Sequence, residues 1–263
     1  MTPFPRWAWA PFGLGLALLS VPLIGMLGRV SWAQLPELLT SERALDALRL
    51  SLLTCVISTT IVLILGVPTA LVLARTRGWW TEVARTLVTV PMVLPPVVAG
   101  LALLVTFGRR GLVGQHLSAM GIEIGFTTAA VVLAQSFVSL PFLVISVEGA
   151  LRTSSSQLER VAANLGASPS RVFWRVTLPV IRPALASGTA LSFARSLGEF
   201  GATLTFAGSL QGTTRTLPLE IYLLRESDSE IALALALVLV VVAVAIVFVS
   251  TRFQAWGHHN DAL

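Results

Sequence analysis

Ile231 to Val249 reads as nineteen consecutive residues of Ala, Val, Leu, Ile and Phe, and nothing else in the chain limits its possible folds as severely. A helix of about 20 apolar residues matches the hydrocarbon thickness of a bilayer, whereas a surface helix of a soluble domain keeps a polar face. In hydrocarbon every backbone amide must find an internal partner, so a run of this length crosses as a helix. Five further apolar runs, at about 8–27, 50–73, 87–107, 126–147 and 181–206, accompany the one at 231–249. The expectation is an all-α membrane protein with about six transmembrane helices, built as a single transmembrane domain over residues 1–263.

Charge usage narrows the function. Charged residues are 12% of the chain, against about 25% in soluble domains. All 18 basic residues are Arg, placed at the ends of apolar runs rather than among interleaved aromatics, which argues against a nucleic-acid partner. The absence of Lys excludes a P-loop ATPase, because the Walker A lysine must reach the β- and γ-phosphates. Any ATP-driven process would therefore need a separate polypeptide to hold ATP and Mg. Cys55 is alone inside an apolar run, so neither a disulfide framework nor a paired-thiol metal site is available. His116 falls in a loop, and His258 and His259 fall in a polar tail that reads as solvated rather than metal-binding. No cofactor or metal is expected in this chain. An intramembrane enzyme would need a nucleophile with its base at membrane depth, and no span holds a His.

Taken in order, the runs differ in character. Arg6 precedes the first as it would in a signal peptide, with Ser31-Trp32-Ala33 as a passable cleavage site. The run exceeds the usual h-region of about 7–15 residues, so a retained helix is expected. The second carries Ser51, Thr54, Ser58, Thr59 and Thr60, hydroxyls able to return hydrogen bonds to backbone or cross to a neighbour, and Pro68 adds a kink. Trp79 and Trp80, between Arg77 and Arg85, read as an interfacial anchor. The third contains Pro91, Pro95 and Pro96, which open backbone groups that only protein or water can satisfy. Pro95 and Pro96 are read as lining a path, with a static packing kink as the other reading. The fourth holds Gln135 and Pro141, and the sixth is read as facing lipid.

In the fifth run, Ala186, Ala190, Ala194, Gly198 and Ala202 recur every fourth residue, a small-residue ridge along which another helix can approach. Arg195 and Glu199 lie beside it, four apart and on one face near the middle of the membrane. Intramembrane charges are costly and face a bundle interior or a water-filled path. Either the pair lines such a path, or the two charges only fix packing.

One long segment, Ser156 to Pro179, is too polar to span and too patterned to be a linker. Ser156 and Glu159 form a capping box at a helix start. Leu158, Val161, Ala162 and Leu165 follow at helical spacing as an apolar stripe. Gly166 supplies the left-handed stop, Ser168 and Pro169 restart a second helix, and Pro179 is expected to force Leu178 out of helical geometry. A helix, glycine corner and helix with one apolar ridge suits docking in another protein's groove. The same local pattern also describes a helix lying on lipid headgroups.

The spacing from Gly166 through nine residues to Val176, Thr177, Leu178 and Pro179 resembles the E-A-A-x-x-x-G-x9-I-x-L-P signature of ABC importer permeases, with Val in place of Ile. The Glu-Ala-Ala positions fall on Arg160, Val161 and Ala162, with an acid one place earlier at Glu159. Phe193 to Gly208, FARSLGEFGATLTFAG, and Val93-Leu94-Pro95-Pro96-Val97-Val98 are similar to stretches of molybdate ABC importer permeases. Sulfate and thiosulfate permeases share the Leu-Gly-Glu-Phe-Gly-Ala core, and the Thr203-Leu204-Thr205-Phe206 continuation favours molybdate, with the near-isosteric tungstate left open. The resemblance covers the chain from about residue 45 onward.

This resemblance implies a type I ABC importer permease, multi-pass in the inner membrane of a prokaryote, with a cytoplasmic helix-turn-helix coupling segment at 156–179. It implies a homodimer with the path at its interface, two copies of a cytoplasmic ATPase beneath, and an extracytoplasmic molybdate-binding protein above. Leu158, Glu159, Val161, Ala162, Leu165, Gly166, Ala167 and Pro179 would then carry the coupling, and Arg195, Glu199, Pro95 and Pro96 the translocation path. Six spans put both termini on one side. Arg6, Arg75, Arg77, Arg85, Arg152, Arg160, Arg171, Arg175, Arg182 and Arg252 lie on the side of the coupling segment. Arg29, Arg43, Arg49, Arg109, Arg110, Arg215 and Arg225 lie opposite, so the termini are expected in the cytoplasm. A proton-coupled secondary transporter with Glu199 as proton carrier is the alternative of a different class; it leaves Ser156 to Pro179 unexplained.

Overall fold

The computed structural model describes residues 5–153 and 157–260, with side chains through Phe248. Among the described residues the chain is helical, with no strand. The helices are α1 (Trp9–Leu27), α2 (Leu35–Leu39), α3 (Glu42–Arg75), α4 (Trp79–Val93), α5 (Pro96–Phe107), α6 (Gly114–Ala119), α7 (Thr128–Thr153), α8 (Gln157–Asn164) and α9 (Pro169–Val172). A π-helical turn, Phe173–Thr177, leads into α10 (Leu178–Leu197), followed by α11 (Gly201–Ala207), α12 (Leu217–Ser227) and α13 (Ser229–Asn260).

The bundle is built around α7, thirteen of whose 26 residues are buried. One apolar cluster joins Val131, Ala134 and Val138 of α7 to Leu103 of α5 and Phe206 of α11. A second joins Leu143, Val144 and Val147 to Val62 and Leu73 of α3 and Ile181 of α10. A third, at the end of the bundle that carries α12, packs Ala44 and Ala47 of α3 against Leu217 and Leu224 of α12 and Leu235 of α13. In contrast α1 has no buried residue.

Several elements differ from the expectation. Among the described residues four helices are long and apolar enough to cross a membrane, Arg6–Leu27, Glu42–Arg75, Thr128–Thr153 and Ser229–Phe248, or five if α4 and α5 count as one bent span. The expected fifth span falls outside that set: α10 carries Arg182, Arg195 and a run of Ser, Thr and Gly, and packs against α3, α7 and α13. A helix covered on several sides by protein has no need of a fully apolar surface. The expected third span is two helices bent by 117° at Leu94 and Pro95, where both residues are extended because each precedes a proline.

The expected fifth span is also broken. Helix α10 ends at Leu197 and α11 starts at Gly201, so Ala186, Ala190 and Ala194 lie on one helix, Gly198 caps it, and Ala202 lies on the next. The buried small residues four apart in α10 are Gly188, Ser192 and Ser196. Ser192 donates to the Ser139 carbonyl at 3.0 Å and Ser196 shares a 3.2 Å hydrogen bond with Ser58, contacts that alanine cannot make. Finally, the sixth span is only partly exposed, since Ala232, Ala234, Leu235 and Leu237 are buried.

Candidate functional site

Two regions of α8 to α11 collect the residues singled out by sequence. In the first, α8 and the residue after it present Leu158, Val161 and Leu165 outward, Leu165 at 83% exposure, while Ala162 is half-buried. Gly166 adopts φ +81°, the left-handed conformation that glycine tolerates best. Its amide donates to the Ala163 carbonyl and that of Ala167 to Ala162, which closes the helix with two returning hydrogen bonds. The Ser168 hydroxyl accepts from the Arg171 amide at the start of α9. The helix, glycine corner and helix therefore stand as expected.

The second helix of the segment does not stop at Pro179. Leu178 keeps helical dihedrals (φ −60°, ψ −45°), and its amide donates five residues back to the Phe173 carbonyl. The wider π turn makes room for the Pro179 ring and ends where proline lacks a donor. The capping-box partner Ser156 lies outside the described residues. Glu159 makes two contacts that its spacing does not disclose: its carboxylate takes the Arg75 guanidinium at 2.9 Å and the Thr177 hydroxyl at 2.5 Å. One side chain thus ties α8 to the end of α3 and to the far arm of its own corner.

In the second region, the break between α10 and α11 is held by Glu199, which is 1% exposed. One carboxylate oxygen lies 2.6 Å from Nη1 of Arg195, and the other accepts the Ala202 amide at 2.7 Å, capping α11. Arg195 is 29% exposed, and a guanidinium offers five N–H donors, so the ion pair leaves it donors to present. The proline break meets this centre directly. A Cβ on Gly201 would sit 2.6 Å from the Cβ of Pro96, and one on Gly100 would sit 2.7 Å from the Ala202 carbonyl. Two broken helices therefore cross at their breaks, with Pro96 beside the residues that flank Glu199, while Pro95 and Pro96 keep exposed surface.

A third cluster has no counterpart among the residues expected from sequence. Glu148, buried in the last turns of α7, accepts from Arg85 Nε at 3.0 Å and Arg152 Nε at 2.9 Å, and both guanidiniums also donate to the Leu73 carbonyl. This joins α3, α4 and α7 at the end of the bundle that carries α8. The spacing of Glu148 and Arg152 was a visible signal; Arg85, 63 residues away, was not. At the opposite end Arg215 pairs with buried Glu220 at 3.2 Å and holds Ser209. Among the described residues no three His, Cys, Asp or Glu gather as metal ligands.

Residues 46–257 match the family described as binding-protein-dependent transport system inner membrane component. The chain is 56% identical over 229 residues to the molybdenum transport system permease protein ModB of Mycobacterium tuberculosis, covering 87% of each. It is 36% identical to a probable transport system permease protein, NifC, of Clostridium pasteurianum, covering 80% of this chain and 74% of that one. Against the sulfate transport system permease protein CysT of Escherichia coli it is 35% identical, over 78% and 75% of the two chains. The fold is similar to that of a bacterial alginate ABC transporter solved with its alginate-bound periplasmic protein, with TM-score 0.70, 19% identity and coverage of 94% and 93%. It is also similar to the inward-facing MetNI methionine ABC transporter, with TM-score 0.62, 18% identity and coverage of 83% and 99%. With the helix, glycine corner and helix, the buried charge pair and these similarities in hand, this multi-pass membrane protein belongs to the family of inner-membrane components of binding-protein-dependent transport systems.

Proposed function

We propose that this chain is the membrane-spanning subunit of an ATP-driven importer for molybdate, with tungstate as a near-isosteric second cargo. One mechanical observation carries the proposal: the coupling segment runs through the π turn directly into α10, whose far end holds Arg195 and the Glu199 break. Twenty residues of helix span about 30 Å. A displacement of the segment therefore moves the charged centre with no intervening loop to absorb it.

Two copies of the chain form the transporter, with Arg195, Glu199, Pro95 and Pro96 lining the path between them. Two copies of a cytoplasmic ABC ATPase, which hold the ATP and Mg, receive the apolar ridge of Leu158, Val161, Ala162 and Leu165 around the Gly166 corner. A molybdate-binding protein docks on the outer side, and both termini lie in the cytoplasm, in keeping with the excess of Arg beside the coupling segment. ATP binding draws the two segments together and turns the path outward; hydrolysis resets it.

A bare dianion in hydrocarbon faces a penalty on the order of tens of kcal/mol. Arg195 offsets part of it, and Glu199 keeps the local charge near balance so that the anion is released rather than trapped. The molybdate assignment is supported by 56% identity to a permease named for molybdenum transport, against 35% for one named for sulfate. Sulfate is the second reading, favoured by the shared Leu-Gly-Glu-Phe-Gly-Ala core. Molybdenum content of cells lacking this gene, grown on trace molybdate with and without excess sulfate, separates them. A molybdenum deficit repaired by the intact gene supports molybdate. Unchanged molybdenum with failed growth on sulfate assigns sulfate instead.

A further inference from the structure

Beside the coupling segment lies a cavity of about 510 Å³ that the transport cycle described above does not use. It opens between the end of α3, the last turn of α7 and the first turns of α8, and is walled by Arg75, Arg77, Arg152 and Arg160, with Thr76 and Glu159. Four guanidiniums from three separate stretches of chain converge on it, and one lining carboxylate opposes them. Adding the neighbours Arg85 and Glu148 leaves the balance at five positive charges against two negative. Glu148 is already engaged by Arg85 and Arg152, and Glu159 by Arg75 and Thr177, so both carboxylates are committed at the cavity wall.

We propose that this cavity is a binding site for a phosphate-type oxyanion, supplied either by the headgroup of an anionic phospholipid or by free phosphate. Planar guanidiniums present paired N–H donors that match the oxygens of a tetrahedral oxyanion, whereas the Thr76 hydroxyl is spent on the Val72 carbonyl. The cavity sits where α3 and α7 end, at the headgroup level of a bilayer; its assignment to the cytoplasmic leaflet rests on the orientation proposed above, whereas anion binding does not. Arg75 faces both the cavity and Glu159. An anion in the cavity shares that guanidinium with the carboxylate that tethers α8, so occupancy adjusts how firmly the coupling segment is held.

The test uses the purified full chain in neutral detergent, which requires no partner and no transport. Native mass spectrometry with phosphatidylglycerol or phosphatidylcholine forms one arm, and calorimetric titration with inorganic phosphate the other. The expected result is binding of phosphatidylglycerol or of phosphate, but not phosphatidylcholine, weakened about tenfold by Arg77→Gln and further by adding Arg160→Gln. The binding should also weaken as salt is raised, and Arg110→Gln should leave it unchanged. The arm that responds identifies the source. Binding of neither anion, or binding indifferent to Arg77→Gln and Arg160→Gln in variants that elute as the parent does, overturns the proposal and leaves the charge for an acidic side chain of a protein partner. Loss of anion binding with intact molybdate uptake, or the reverse, separates the two functions.

Discussion

Glu199 uses its two carboxylate oxygens for different purposes, one on Arg195 and one on the Ala202 amide. Replacing it by Ala leaves a largely buried guanidinium unpaired and α11 uncapped, and should lower stability by about 3 kcal/mol. Glu199→Gln retains an acceptor for the amide, so it should lose only about 1 kcal/mol; thermal unfolding in detergent reads both. Arg195→Gln tests the path itself: a stably expressed variant should take up molybdate at least about tenfold more slowly. Undiminished uptake would reduce the pair to a packing device. Gly166→Val addresses the other region. A β-branched residue at φ +81° is strained by about 1–3 kcal/mol, yet the corner is exposed, so the protein should fold while substrate-stimulated ATP hydrolysis is uncoupled. Normal coupling in that variant would mean that force is transmitted elsewhere.

At the scale of elements, the two broken helices depend on how closely their backbones approach. Gly100→Ala drives a methyl group to 2.7 Å from the Ala202 carbonyl and should cost about 1–3 kcal/mol. Gly25→Ala in α1, where the same methyl group meets nothing, should be neutral or stabilising by up to about 1 kcal/mol. Equal melting temperatures for the two variants would show that the crossing of α5 and α11 does not hold this part of the bundle. The contrast also marks what was legible in sequence. Pro95 and Pro96 announce a break, because each removes a donor and disfavours helical geometry at the residue before it, and here two act in succession. They do not announce a 117° bend or a partner at Gly201, which come from packing between distant segments. The coupling corner was readable because Gly166, Ser168 and Pro169 act locally. The end of α10 at Leu197 was hidden, since a small-residue period of four continues across it and only the buried Glu199 contact with Ala202 shows why a new helix starts.

For the whole molecule, the apolar runs disclose helices and their number only roughly. A helix enclosed by protein, such as α10, need not be as apolar as one facing lipid, and its identity as the link between the two regions appears only once α8 to α11 are in place. That link is one helical run: from the Gly166 corner it passes through α9 and the π turn into α10, whose 20 residues carry it about 30 Å further to the charged centre. Uptake into sealed vesicles containing this chain, its ATPase and its binding protein tests it most directly. Molybdate accumulation in such vesicles should require ATP on the side that holds the ATPase, be unaffected by collapsing a proton gradient, and be lost on Gly166→Val. Molybdate accumulation by this chain alone, driven by a proton gradient and abolished by Glu199→Gln, would contradict it.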